Sequence, residues 1–253
     1  MRRREFIALV GGAVAWPLAA RAQQPERMRR IGVIANEEWP PLEGLRQGLR
    51  ELGYVEGKNI RIEYRFAEGR AERYSAFAAE LVGFQVDLIV SQGTPASLAA
   101  RKATSSIPIV MSAGDPVAAG VVTSLHRPGG NVTGVSTQGA EMEGKRLGLL
   151  KELLPSLSRV AVLSNPANPY CVIAVQDARR AATALGLQLD VVDASKPSDL
   201  NSALPAMVRG RPDAALVNAD AVLAGQGVPI AEFMLAQRLP SIYTYREYVG
   251  RAV

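Results

Sequence analysis

The sequence predicts an α/β fold of two similar lobes, each a parallel β-sheet flanked by helices. Short apolar runs typical of buried strands alternate with amphipathic helical segments from residue 29 onward. A helix, a Leu-Gly pair and a strand follow one another twice, at Leu52-Gly53 and at Leu185-Gly186. The 253 residues, 48% of them hydrophobic, are enough for two cores. We therefore assign residues 29–135 and 136–245 to the two lobes, with the crossing between them at residues 129–140.

The N-terminal lobe is predicted to contain a doubly wound parallel sheet of four strands. Leu42, Leu45 and Leu49 are spaced by three and four residues, which places them on one face of a helix. The strand that follows alternates apolar and charged residues, as a half-exposed strand does. The expected strands comprise residues 30–35, 59–66, 86–90 and 107–111, and the expected helices residues 42–52, 74–82 and 95–104.

The same alternation begins again after Ser136 and fills the C-terminal lobe. Pro155 ends its first helix, and Gly186 is predicted to end the second, because glycine readily adopts the left-handed conformation found there. The expected helices are residues 141–154, a segment that ends at residue 185, and residues 200–208 and 228–238. The expected strands are residues 159–163, 187–192, 213–217 and 241–243.

Residues 1–22 are predicted to be an export signal rather than part of the fold. Arg2–Arg4 precede a short apolar run, and Ala20-Arg21-Ala22 has the A-x-A form of a cleavage site. The segment Arg-Arg-Glu-Phe-Ile resembles a twin-arginine signal. Crossing a bilayer takes about 20 apolar residues, and this run is shorter. We therefore expect a mature protein in the periplasm that is not inserted in the membrane.

The leader also explains the apparent basicity of the chain. Its four arginines and one glutamate supply three of the five net positive charges, which leaves the mature chain near +2. Because nucleic-acid binding depends on a marked surplus of basic residues, the sequence predicts no nucleic-acid partner.

A single histidine and a single cysteine exclude several kinds of site. His126 and Cys171 cannot form a disulfide or supply the ligand cluster of a zinc or iron–sulfur centre. His126 lies in a turn-like segment and is interpreted as a surface residue, which removes the general base of serine and cysteine catalysis. The sequence therefore predicts neither an enzyme nor a bound cofactor. Neighbouring carboxylates are interpreted as solvent-exposed: Glu37 with Glu38, and Glu141 with Glu143.

Small and polar residues follow the predicted strands of the N-terminal lobe, where parallel α/β sheets bind ligands. Asn36 ends the first strand, and Gly93, Thr94 and Pro95 follow the third. Thr94 as N-cap and Pro95 as the first helical residue would leave free N–H groups and a helix dipole to receive a ligand carboxylate. Asp115 is expected either to hold an amino or hydroxyl group of the ligand or to cap a turn.

In the C-terminal lobe the corresponding positions are Asn165, Asn168 and Asp220. Each asparagine precedes a proline, so each either starts a turn or points into the site. Two such pairs after a single strand favour the site. Asp220 is open to either a capping or a ligand-binding role.

Characteristic segments occur in order over nearly all of residues 29–253: GLRELGYVEGKN (48–59), EYR (63–65), AEG (67–69), GTPA (93–96), GDPV (114–117), RPGGNVTG (127–134) and YREYV (245–249). Together they resemble the ABC-transporter substrate-binding protein family that includes tryptophan and tyrosine uptake receptors. The resemblance implies a periplasmic binding protein of type I, with two hinged Rossmann-like lobes and a ligand cleft between them. It also implies that a small solute is bound without being transformed and is delivered to an ABC permease and ATPase in the inner membrane.

We therefore expect a monomer that captures an amino-acid-like or aromatic solute. Thr94 and nearby N–H groups would take its anionic end, while Asp115, Asn165, Asn168 and Asp220 would hold its polar remainder. Family members continue past the YREYV segment, so residues 246–253 are expected to start a return to the N-terminal lobe whose remainder is missing, leaving that lobe incomplete. The alternatives are a ligand-sensing module for a membrane receptor, a periplasmic enzyme and a truncated protein without function.

Overall fold

Two parallel β-sheets with helices on both faces form the framework of the protein. The structure is a computed structural model that describes residues 28–38, 40–137, 139 and 142–246. The predicted leader, Glu141 and the predicted return segment from residue 247 onward lie outside the described residues. The α/β fold of two lobes that the sequence predicts is confirmed.

The N-terminal sheet has five parallel strands in the order β2-β1-β3-β4-β5. They are β1 (Arg29–Ala35), β2 (Ile60–Phe66), β3 (Leu88–Gln92), β4 (Ile109–Ala113) and β5 (Val132–Ser136). The prediction of four strands is wrong because it places β5 in the crossing between the lobes. Of the five residues of this strand, only Val132 is buried. Gly134 has a φ of +148° and lies against the backbone of Met111. The strand therefore lacks the apolar run that identifies the other strands.

The C-terminal sheet has four parallel strands in the order β7-β6-β8-β9. They are β6 (Arg159–Ser164), β7 (Gln188–Asp193), β8 (Ala214–Val217) and β9 (Ser241–Tyr243). All of them lie within one residue of their predicted bounds, because each carries an uninterrupted or alternating apolar pattern.

The helices of the described residues are α1 (Pro40–Glu51), α2 (Arg73–Gly83), α3 (Thr94–Ala103), α4 (Met142–Leu153), α5 (Pro169–Leu185), α6 (Leu200–Arg209), α7 (Ala221–Gly225) and α8 (Gly227–Ala236). Gly186 ends α5 in the left-handed conformation, as predicted. Helix α7 is not predicted because five residues are too few to show a helical period. No helix in the described part of the chain has both the length and the apolar character to cross a membrane.

Alternate residues of the central strands pack on opposite faces of each sheet. In β1, Val33 packs with Leu42 of α1 on one face, and Ile34 packs with Leu81 of α2 on the other. The strand β6 is buried on both faces in the same way. These strands therefore read as continuous apolar runs, as expected for a parallel sheet covered by helices.

Both sheets reverse their direction of winding at a central strand. The chain passes from β1 outward to β2 and then across to β3 on the other side of β1. It does the same from β6 to β7 and then to β8. The loops after β1 and β3, and after β6 and β8, therefore diverge and leave a crevice at each sheet, which is where open α/β sheets bind ligands.

Candidate ligand-binding site

A cavity of about 640 Å³ lies between the two lobes at both crevices. Its volume falls within the range of small-molecule sites, roughly 300–1,000 Å³. Residues that follow β1, β3 and β4 line it on the N-terminal side, and residues that follow β6 and β8 line it on the C-terminal side. Of the residues predicted to bind a ligand, those that line the cavity are Asn36, Gly93, Thr94, Asn165, Asn168 and Asp220.

Asn36 connects the two lobes across the cavity. It is buried just beyond β1, and its Oδ1 accepts a hydrogen bond of 2.7 Å from the N–H of Gly69 in the same lobe. Its Nδ2 donates a bond of 3.1 Å to the carbonyl of Ala221, the first residue of α7 in the C-terminal lobe. Both ends of the Asn36 amide are therefore engaged by protein.

The buried Asp220, Asn165 and Asn168 form one hydrogen-bonded cluster in the C-terminal lobe. Asp220 Oδ2 accepts bonds from the Nδ2 atoms of Asn165 (3.1 Å) and Asn168 (2.9 Å). Asp220 Oδ1 accepts bonds from the N–H groups of Val222 (2.9 Å) and Leu223 (3.1 Å) and so caps α7. With four donors, the carboxylate has its acceptor sites filled.

The two asparagines also shape the loop after β6. Asn165 Oδ1 accepts a bond from the N–H of Ala167, and Asn168 Oδ1 caps α5 by accepting one from the N–H of Tyr170. These asparagines therefore form turns and also line the cavity, while their role in ligand binding stays a prediction. Each Nδ2 donates one hydrogen to Asp220 and carries a second hydrogen.

Thr94 lines the cavity at the start of α3, but not as its N-cap. Gly93 is the cap, with a φ of +85° that favours glycine, and Thr94 is the first helical residue. The prediction of Thr94 as N-cap is wrong because glycine takes the irregular turn one residue earlier. Thr94 is 1% exposed, and its Oγ1 has no hydrogen-bond partner in the described structure. A buried hydroxyl without a partner is unfavourable and is therefore a candidate ligand contact.

Asp115 lies outside the lining of the cavity. Its Oδ1 accepts a bond of 3.0 Å from the N–H of Ala118, three residues along the chain. The structure thus favours the turn-capping alternative for Asp115, because a short side chain that caps its own turn is held away from the cleft.

Aromatic residues that were not among the predicted ligand contacts line the same cavity: Tyr74, Tyr170 and Tyr245. Burial raises the pKa of the Tyr74 phenol, and the negative charges of Asp220 and Glu37 raise it further. Burial also raises the pKa of the Tyr170 phenol, whose oxygen has no hydrogen-bond partner in the described structure. The signal for Tyr170 in the sequence is its position directly after the Asn168-Pro169 cap of a helix.

The two carboxylates after β1 also line the cavity, and sequence reasoning interpreted both as solvent-exposed. Glu38 is exposed and pairs with Arg46, with 2.7 Å between Oε1 and Nη1. Glu37 is partly buried, and its carboxylate lies against Gly225 of the C-terminal lobe. Burial raises the pKa of Glu37. For Glu37 the solvent-exposed interpretation is wrong, because the opposite lobe covers one side of its carboxylate.

Glu143, another carboxylate interpreted as solvent-exposed, is completely buried on α4. Its Oε1 accepts a bond of 2.6 Å from Nη1 of Arg146, while its Oε2 has no partner in the described structure. Burial raises the pKa of Glu143 to about 7, although the Arg146 charge opposes this rise. The exposed interpretation is wrong because α4 turns this side chain toward α5.

The cysteine and the histidine lie where the sequence interpretation places them. Cys171 is fully buried on α5, and its thiol donates to the carbonyl of Ala219. Burial raises the pKa of this thiol well above its usual value. His126 is exposed in a loop and lies outside the lining of the cavity.

Comparisons with known proteins identify relatives with the same architecture. The sequence model of the family described as "ABC transporter substrate binding protein" matches residues 39–251. A tyrosine-binding protein of Clostridioides difficile (strain R20291) is 30% identical over 222 residues, or 86% of this chain. This chain spans 64% of the length of that relative.

Two solved structures differ in how well they match. The ABC domain of a Streptococcus pneumoniae protein in complex with L-Trp is 26% identical, covers 88% of this chain and 76% of its own, and has a TM-score of 0.77. A ligand-free, open substrate binding protein with adhesive properties from Clostridium difficile is also 26% identical, covers 87% and 76%, and has a TM-score of 0.52. The TM-score to the L-Trp complex is therefore higher than that to the ligand-free structure.

The architecture is the type I periplasmic binding protein fold. The family match covers most of the chain and includes every residue that lines the cavity except those before residue 39. On these grounds, the protein belongs to the ABC transporter substrate binding protein family.

Proposed function

We propose that this protein captures a small amino-acid-like or aromatic solute between its two lobes and delivers it to an ABC permease and ATPase. The observation that carries the proposal is Thr94, whose buried hydroxyl has no hydrogen-bond partner in the described part of the chain and lies at the start of a helix in the wall of an interlobe cavity. A hydrogen-bonding ligand would supply the partner that Thr94 lacks in the described structure.

The start of α3 suits the anionic end of such a solute. The first N–H groups of a helix have no intrahelical acceptors, and the helix dipole makes this end positive. Gly93 has no side chain that would cover these groups, and Thr94 adds a hydroxyl beside them. A carboxylate placed here would receive hydrogen bonds from the backbone and from Thr94.

The remaining walls suit a polar and partly aromatic solute. The second hydrogens of the Asn165 and Asn168 amides are available to a ligand acceptor, while Asp220 holds both amides in place. Tyr74 and Tyr170 offer aromatic surface to a planar side chain. In this proposal Asp220 positions donors rather than touching the ligand, and Asp115 has no part.

The relatives support this class of solute, since one is a tyrosine-binding protein and another was solved with L-Trp. The proposal includes export to the periplasm after cleavage near Ala22, and action as a monomer with lobes at residues 29–135 and 136–245. The lobes would open and close about the crossing segment, so that closure buries the solute.

The test is isothermal titration calorimetry of the purified chain with amino acids and aromatic carboxylic acids. We expect at least one to bind with a Kd of about 1 μM or tighter, which corresponds to roughly −8 kcal/mol. Small-angle scattering of the same sample should show a smaller radius of gyration when that solute is bound. Absence of binding across the whole panel would contradict the proposal.

A further inference from the structure

We propose that Glu37 binds a protonated nitrogen of the ligand and so restricts the cavity to solutes that carry an amino group. This inference rests on the proposed function, because it assumes that the interlobe cavity is the binding site. It assigns a specificity-determining contact to a residue whose sequence context suggests only a solvated loop.

Charge balance in the cavity singles out Glu37. Three carboxylates line the cavity, and none of the other described lining residues is a lysine or an arginine. Glu38 is paired with Arg46, and Asp220 accepts four hydrogen bonds from protein donors. Glu37 has neither an ion pair nor a hydrogen bond in the described structure. It is therefore the one lining carboxylate there whose charge is uncompensated.

The position of Glu37 makes this charge unfavourable unless a cation arrives. Both carboxylate oxygens lie so close to Gly225 that a β-carbon at that position would overlap them. The C-terminal lobe therefore displaces water from one side of the carboxylate. A partly desolvated carboxylate is stabilised by a cation within hydrogen-bonding distance.

Tyr74 marks where the cation would lie. Burial is the main cause of the raised pKa of the Tyr74 phenol, and the negative charges of Asp220 and Glu37 raise that pKa further. The cavity next to Tyr74 is therefore a region of negative potential with an aromatic ring in its wall. Such a region favours an ammonium group, because a carboxylate and an aromatic face both attract cations.

Glu37 and Thr94 hold equivalent places at the ends of neighbouring strands. Ile34 of β1 pairs in register with Ser91 of β3, and Glu37 and Thr94 each follow three residues later. Neighbouring strands lie about 4.8 Å apart, so groups that follow β1 and β3 at these positions are near enough to contact the head group of one α-amino acid from two sides. The pair therefore presents a negative and a positive potential side by side, as a zwitterion requires.

The experiment compares solutes that differ only in the amino group. Calorimetry at neutral pH would measure Kd for L-phenylalanine against 3-phenylpropanoate, and for L-tryptophan against indole-3-propanoate. For the wild-type protein we expect each amino acid to bind at least about tenfold more tightly than its deaminated analogue. For Glu37→Gln, the affinity for the amino acid should fall by about tenfold while that for the analogue is kept or improved.

Glu68→Gln is the matched control. Glu68 lies just beyond β2 at the same edge of the sheet, is exposed and pairs with Arg70 and Arg73. This variant removes the same formal charge outside the cavity, so both Kd values should stay within about twofold of wild type. Thermal unfolding would confirm that both variants are folded.

Two results would overturn the inference and leave the proposed function standing. One is equal affinity of the wild-type protein for the amino acids and their deaminated analogues. The other is a preference for the amino group that survives in Glu37→Gln. A wild-type protein that binds no member of the panel would instead overturn the proposed function, and the inference with it.

Discussion

The ring of Tyr170 lies directly over the backbone of Gly114. Tyr170 is in the first turn of α5 in the C-terminal lobe, and Gly114 follows β4 in the N-terminal lobe. A β-carbon at Gly114 would overlap three atoms of the ring. Tyr170 is only 2% exposed, so this contact is part of the arrangement in which the lobes meet.

We predict that Gly114→Ala weakens ligand binding without unfolding either lobe. Gly114 has no positive φ, so alanine fits its backbone, but the added methyl group prevents the ring from reaching its closed position. Overpacking of this kind costs about 1–3 kcal/mol, so calorimetry should show Kd rising by about fivefold to 150-fold.

The control for Gly114→Ala is Gly148→Ala in α4, where a β-carbon would meet nothing within 4 Å. Alanine in a helix interior stabilises by about 0.5–1 kcal/mol relative to glycine, and Kd should not change. An unchanged Kd for Gly114→Ala would mean that the Tyr170 contact is not needed for closure.

Thr94→Val is predicted to lower ligand affinity while leaving the unliganded protein as stable as wild type or more stable. Valine has the same shape as threonine, and it removes a buried hydroxyl that has no partner among the described residues. Loss of a hydrogen bond to a charged ligand group should raise Kd by about tenfold, as calorimetry would show, while thermal unfolding should show no loss.

Ser97→Ala, three residues further along α3, should give the opposite pattern. The Ser97 hydroxyl bonds to the Ser91 hydroxyl and to the Gly93 carbonyl, each at 2.9 Å, and lies outside the cavity lining. Its loss should reduce the free energy of unfolding by about 1 kcal/mol and leave Kd unchanged. If Thr94→Val lost stability and kept affinity, Thr94 would be a structural residue.

Asp220→Asn is predicted to destabilise the C-terminal lobe. Each oxygen of the Asp220 carboxylate accepts two hydrogen bonds. Asparagine replaces one of these oxygens with an N–H₂ group, so the two groups that donate to that oxygen lose their acceptor. Urea denaturation should show a loss of about 3 kcal/mol.

Asp193→Asn is the matched control for Asp220→Asn. Asp193 is exposed at the end of β7 in the same sheet, and its replacement should change stability by less than about 0.5 kcal/mol. If Asp220→Asn kept full stability but lost affinity, Asp220 would be a direct ligand contact.

Glu143→Gln is predicted to remove a pH dependence of stability. Burial raises the pKa of Glu143 from 4.5 to about 7, so the folded state holds a proton that the unfolded state releases between these values. Protonated Glu143 therefore contributes about 3 kcal/mol to the free energy of unfolding below pH 4.5. This contribution is lost as the pH rises through 7. Urea denaturation from pH 4.5 to 8 should show a smaller loss in the variant.

The control for Glu143→Gln is Glu152→Gln, since Glu152 is exposed on the same helix. It should keep the wild-type dependence of unfolding free energy on pH. A Glu143→Gln profile parallel to wild type would show that Glu143 is ionised in the folded protein throughout this range.

Much of the fold follows from local patterns of the sequence. Strands such as β6 are buried on both faces, and their continuous apolar runs are visible without knowledge of their partners. The fifth strand β5 is not visible in this way, because its pairing with β4 depends on the missing side chain of Gly134 rather than on apolar residues.

From sequence alone, only those site residues that directly follow predicted strands can be identified. Asn36, Thr94, Asn165, Asn168 and Asp220 all follow central strands, and the rule for open α/β sheets locates them. The hydrogen-bond partners of Asp220 and the burial of Glu37 depend on distant residues that the fold brings together. The sequence around Glu37 does not indicate that Gly225, in the opposite lobe, lies against its carboxylate.

The most direct test of the account is a crystal structure of the protein with the amino acid that binds it most tightly. We expect the solute inside the cavity between the lobes, with its carboxylate within hydrogen-bonding distance of Thr94 Oγ1. A solute bound outside this cavity, or bound inside it with no contact to Thr94, would contradict the account.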